Sequence, residues 1–135
     1  MLLDGVSLQG SYHDTNQDSF LCKMLDHGFA VALSDGLGSK RDSKFGSAML
    51  CRSVIELAEE KTQELSEITP EEFVRLVHER WLHNLTGHDI KECYATMLFF
   101  VLYGGRVFAA RLGDGFIGFW IDAIVEVLFA AKVAY

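Results

Sequence analysis

Phe29-Ala30-Val31-Ala32-Leu33-Ser34-Asp35-Gly36-Leu37-Gly38-Ser39 is the stretch on which the reading of this chain turns. An apolar run of strand length, carrying an aromatic and a β-branched residue, ends in a carboxylate followed by two glycines. A strand that stops at an acid beside bare backbone is a place where a rigid scaffold can present chemistry. The same pattern also closes an ordinary Asp-Gly turn. What the rest of the chain sets beside Asp35 decides between the two.

Immediately upstream, Asp26-His27-Gly28 is a turn signal, and Ser19 to Leu25 reads as a strand paired with Phe29 to Leu33 in a hairpin. Three registers are open. With Asp26-His27 as the loop, Asp18 stands opposite Asp35. With His27-Gly28, Asp35 faces Phe20 on the sheet face that also carries Asp18. With a three-residue loop, Asp18 faces Gly36. In every case the two carboxylates stay within one diagonal step, roughly 5 to 8 Å between Cβ atoms. Carboxylates that close repel each other unless a proton or a cation lies between them. Before the hairpin, residues 2 to 10 read as a short first strand, and the polar loop from Gly10 to Asp18 carries His13.

Downstream, Asp42-Ser43 can cap a helix running to about Glu64, with Phe45, Ala48, Cys51, Ile55 and Ala58 inward and Arg52, Glu56, Glu59 and Lys61 outward. Thr69-Pro70-Glu71-Glu72 starts a second helix to about Leu85, stopped by Gly87, because Thr caps, Pro suits the first helical position and Glu72 completes a capping box. Tyr94 to Leu102 and Arg106 to Leu112 form a second hairpin through Tyr103-Gly104-Gly105. It runs into Gly113-Asp114-Gly115, so a second strand ends at an acid flanked by glycine. Phe116 to Ile121 is the next strand; beyond it, Ile124, Val125, Leu128 and Phe129 fit helical spacing as well as strand spacing. Strands, two helices and strands again give an α+β fold with antiparallel sheet.

The 135 residues suit one domain, residues 1–135, and half are apolar, enough for a single core. A formal net charge of -7, with Lys40-Arg41 the one adjacent basic pair, argues against nucleic acid as a partner. Cys22, Cys51 and Cys93 lie far apart, so their spacing suggests neither a zinc site nor a disulfide framework and fits a reducing cytoplasm. No secretory leader is legible at the N-terminus, and the apolar tail from Phe116 is interrupted by Asp122, Glu126 and Lys132, so no membrane span is expected. The sequence leaves the oligomeric state open.

Asp18, Asp35 and Asp114 thus sit at strand ends beside glycines or amides, hard oxygen ligands that suit Mg²⁺ or Mn²⁺ better than zinc. Competing motifs fail on spacing. Gly36 to Lys40 lacks the pattern of a phosphate loop, and His78 and His83 are five apart and point to different helix faces. His27 and His88 read as loop residues and the cysteines as small core residues. His13, five positions before Asp18, is balanced between a loop residue and a functional one.

Three ordered blocks carry a family resemblance: Asn16-Gln17-Asp18-Ser19; Ala32-Leu33-Ser34-Asp35-Gly36-Leu37-Gly38-Ser39 leading to Ser43-Lys44-Phe45-Gly46; and Tyr94-Ala95-Thr96 through Arg111-Leu112-Gly113-Asp114-Gly115. Together they resemble the metal-dependent protein phosphatases of the type 2C or PPM class, and most of all a bacterial branch. The resemblance implies a partial α/β/β/α sandwich, two antiparallel sheets face to face with helices outside. It implies Asp35 as the bridge between two Mg²⁺ or Mn²⁺ ions, with Gly36 lending its carbonyl. Asp18 would act through bound water, and Asp114 would belong to a third ion. It further implies hydrolysis of phosphoserine and phosphothreonine in protein substrates, with His13 at the phosphate or donating a proton. Two features depart from the family pattern. His13 stands where mainstream members have arginine, and Leu37 where they have histidine. The family's later blocks, a further metal-binding Asp and a closing Asp-Asn, have no counterpart, so the chain resembles the first half of such a domain. The alternative expectation is a phosphatase fold that binds a partner without turnover.

Overall fold

The structure, a computed structural model, describes residues 2–11, 15–115 and 117–128. Strands β1 (Asp18–Leu25) and β2 (Gly28–Asp35) form the first hairpin, followed by helices α1 (Ser43–Glu60) and α2 (Pro70–Asn84) and a 3-10 turn at Ile90–Glu92. Strands β3 (Met97–Tyr103) and β4 (Arg106–Leu112) form the second hairpin, and β5 (Ile117–Ile121) and β6 (Ile124–Leu128) a third. The first four strands make one antiparallel sheet in the order β1-β2-β3-β4, and the last two make a separate sheet.

Strand alternation assigns the faces of the larger sheet. Ala30, Ala32 and Ser34 of β2 and Met97, Phe99, Val101 and Tyr103 of β3 are buried on one face. Helices α1 and α2 cover that face, contributing Val54, Leu57, Phe73 and Val77 to the core. Phe73, Phe99 and Phe108 meet edge to face at its centre, with centroid separations of 5.1, 5.2 and 6.2 Å. On the opposite face Phe100 packs against Phe119 of β5, 5.5 Å between centroids. The result is an α+β arrangement of two antiparallel sheets and two helices, as expected. Among the described residues no helix lies outside the second sheet, so the outer helical layer of a full sandwich is not represented.

Local chemistry explains most boundaries. Thr69 caps α2 by accepting a hydrogen bond from the Glu72 amide at 3.2 Å, with Pro70 in the first turn. Gly104 and Gly105 both take positive φ, 57° and 79°, as a two-residue hairpin loop requires. Three expectations need correction. Residues 2–10 form no strand: the segment joins no sheet, its backbone finds no strand partner among the described residues, and Leu2, Val6 and Leu8 stay exposed. Helix α1 ends at Glu60, four residues early, and the chain continues as hydrogen-bonded turns in which Leu65 and Ile68 donate to Lys61 and Glu64. The Asp42 side chain does not cap α1; it lies 3.4 Å from the Arg41 guanidinium. The ambiguous segment at Ile124 is a strand, because Val125 and Glu126 find partners in Trp120 and Phe119.

Candidate metal centre at the end of the first hairpin

The hairpin loop is Asp26-His27, the first of the three open registers, and it sets Asp18 directly opposite Asp35. Both main-chain groups of Asp35 turn the other way. Its amide donates to Thr96 Oγ1 at 2.9 Å, and its carbonyl accepts from the Thr96 amide at 2.8 Å. Asp18 and Asp35 therefore face each other as a non-hydrogen-bonded pair, the closer kind, with Cα atoms about 4.5 Å apart. Their side chains share the sheet face of Phe20 and Leu33, away from the helices.

That face opens into a cleft of about 370 Å³ lined by Asp18, Asp35 and Asp114, with Ser34, Thr96, Leu98 and residues 6–8 around them. All three acids singled out in the sequence thus border one cavity. A second cleft, about 480 Å³, shares Asp18 and Asp35 with the first and is lined also by Asn16, Gln17, Gly36, Leu37 and Gly38. The donor set is carboxylate and main-chain oxygen, which fits a hard divalent cation such as Mg²⁺ or Mn²⁺.

Each acid is held by backbone bonding around it. The Asp18 amide donates to Asn16 Oδ1 at 3.0 Å, and the Gln17 carbonyl accepts from the Gly36 amide at 3.1 Å and from Ser47 Oγ at 2.6 Å. Gly36 is buried where two chain segments converge: a Cβ there would stand 2.7 Å from the Gln17 oxygen and 2.8 Å from the Ser43 oxygen. Glycine at this position answers to close approach of backbone, not to a turn of unusual φ. Asp114 sits between Gly113 and Gly115, whose φ values of 95° and 124° bend the chain out of β4. The Gly115 carbonyl accepts from Arg111 Nη1 at 3.0 Å.

Two residues matter more than their sequence signal suggested. Thr96 bonds Asp35 twice, accepts the Ser34 hydroxyl at 2.5 Å through its carbonyl, and lies against Gly113. It joins the turn carrying Asp35 to the turn carrying Asp114. Ser47, buried on α1, holds Gln17 and stands 3.1 Å from Ser19 Oγ. The available signal was a run of serines, Ser43, Ser47 and Ser53, on a helix face otherwise destined for the core. Other candidates fall elsewhere. His13 lies outside the described residues. His78 and His83 are exposed on α2, and Lys40 sits over the Tyr94 ring at 5.4 Å. No helix among the described residues is long and apolar enough to cross a membrane.

A family model for protein phosphatase 2C matches residues 11–134. No curated protein and no solved structure matches the chain.

Proposed function

Because the chain belongs to the protein phosphatase 2C family, we propose that it is a metal-dependent phosphatase domain acting on phosphoserine and phosphothreonine in proteins. The family is generally Mg²⁺- or Mn²⁺-dependent, with phosphoproteins as its general substrates. The observation that carries the reading is the direct opposition of Asp18 and Asp35 at the mouth of the cleft. In the proposal Asp35 and the Gly36 carbonyl would hold the catalytic Mg²⁺ or Mn²⁺, Asp18 would complete that side of the site through water, and Asp114 would hold a further ion. When bound, such ions supply an activated water and neutralise phosphoryl oxygens during in-line attack. Thr96 fixes the direction of the Asp35 side chain by engaging both of its main-chain groups. His13 is a candidate for contacting the phosphate or donating a proton, on its sequence position alone.

The test is Mn²⁺-dependent hydrolysis of p-nitrophenyl phosphate and of a phosphothreonine peptide, abolished in Asp35→Asn. Hydrolysis that survives both Asp35→Asn and chelation overturns the proposal. A second reading, a phosphatase fold that binds a partner without turnover, is favoured by Leu37, a half-exposed apolar side chain directly after Asp35-Gly36. It predicts that calorimetry finds no Mn²⁺ uptake dependent on Asp35.

A further inference from the structure

We propose that Asp42, His88 and Cys93 form a binding site for one Zn²⁺ ion, separate in position and ligand chemistry from the acidic cleft. The three residues are remote in sequence, at the start of α1, in the loop after α2 and at the end of the 3-10 turn. The fold brings a carboxylate oxygen, an imidazole nitrogen and a thiol sulfur within 4.8 Å of one another. His88 Nδ1 is 3.9 Å from Asp42 Oδ2. Tetrahedral zinc with bonds of about 2.0 to 2.3 Å sets its ligands roughly 3.3 to 3.6 Å apart, so the site closes by about 1 Å. A mixed sulfur, nitrogen and oxygen set is unsuited to Mg²⁺ or Ca²⁺ and suits zinc.

Two further observations point to a ligand. Cys93 is fully buried, yet its sulfur makes no hydrogen bond among the described residues, whereas buried Cys51 donates to the Ser19 carbonyl at 3.5 Å. The His88 ring is held in its plane by stacking on Phe45, 4.0 Å between centroids and 18° between planes, so the imidazole is ordered before an ion arrives. Asp42 and His88 are partly exposed, which leaves solvent a route to the fourth position. Arg41 now lies 3.4 Å from Asp42 Oδ2, but its side chain is 72% exposed, so losing that pair costs little. Asp89 and Glu92 add negative charge near Cys93. Binding exchanges the Cys93 thiol proton, released to solvent, for a sulfur–metal bond.

Zinc here would clamp the loop that follows Asp35. That loop is already bonded to the segment after His88: Asp42 donates to the Glu92 carbonyl and Leu37 to the Tyr94 carbonyl, both at 2.9 Å. The test uses the whole chain with Co²⁺ as a spectroscopic probe and Zn²⁺ as competitor. The expected result is a cobalt–thiolate charge-transfer band in the near ultraviolet at one ion per chain, displaced by Zn²⁺, together with a higher melting temperature in Zn²⁺. Cys93→Ser abolishes the band. Because Cys93 is buried, His88→Ala, at a half-exposed position, is the second variant and also loses the band. Asp35→Asn keeps it, which separates this site from the acidic cleft. A missing band in the folded wild-type chain, or one that persists unchanged in His88→Ala, overturns the proposal.

Discussion

Asp18 and Asp35 face each other across the first hairpin as a directly opposed pair, with the Asp35 backbone turned away to Thr96. Like charges directly opposite on a sheet destabilise it by a few tenths to about 1 kcal/mol. In chelator, Asp35→Asn is therefore expected to stabilise the chain by up to about that amount. On the proposed metal site the order should reverse in Mn²⁺, because an ion held through Asp35 stabilises the wild type and not the variant. Urea midpoints with and without Mn²⁺ check both signs; a variant less stable in chelator would count against the pair being strained.

Gly46 closes the first turn of α1, and within a helix alanine is ordinarily favoured over glycine by up to about 1 kcal/mol. Here a Cβ would stand 1.9 Å from the Cys93 carbonyl oxygen, and that oxygen belongs to backbone. Gly46→Ala is expected to destabilise by about 1 to 3 kcal/mol. Trp81 Nε1 donates to the Gly46 carbonyl at 2.9 Å, so the shift should also appear in tryptophan fluorescence. A variant as stable as wild type would show that the two segments are not in contact.

Burial pushes the Cys51 thiol up to about 12 from an ordinary 9.0. The neutral thiol is thus favoured by the fold, and its contribution is present in full below pH 9. It is lost as pH rises from about 9 to about 12, because the unfolded chain ionises first. Wild type should lose stability more steeply than Cys51→Ala across that window, followed by melting temperature against pH. Parallel curves would contradict this account. Iodoacetamide at pH 8 should modify half-buried Cys22 well before Cys51.

Thr69 satisfies the otherwise free amide of Glu72 at the start of α2. Thr69→Ala should cost about 1 kcal/mol and Thr69→Ser much less, read from denaturant midpoints. Equal losses in the two variants would place the effect in packing instead of capping.

How much could be read beforehand follows from which forces are local. The Gly104-Gly105 hairpin, the Thr69 cap and the order of strands and helices depend on the backbone preferences of a few neighbouring residues, and these were legible. So were Asp18, Asp35 and Asp114 as acids at strand ends. Residues 2–10 and the strand at Ile124 were not, because an apolar run becomes a strand only when another edge accepts its hydrogen bonds.

By itself, then, the sequence determined the element types, their α+β order and the acids at the ends of the strands. Only the tertiary structure chose the register that opposes Asp18 to Asp35. Moving the loop from Asp26-His27 to His27-Gly28 leaves every side chain on its own face, so hydrophobic alternation cannot separate those two registers; only the three-residue loop turns one strand over relative to the other. Distant bonds select the opposed register: Ser47 on α1 and the Gly36 amide both bind the Gln17 carbonyl. The meeting of Asp42, His88 and Cys93 is likewise a product of helix and loop packing. Contacts between residues tens of positions apart leave no periodic trace in a chain; they exist only once its core has closed.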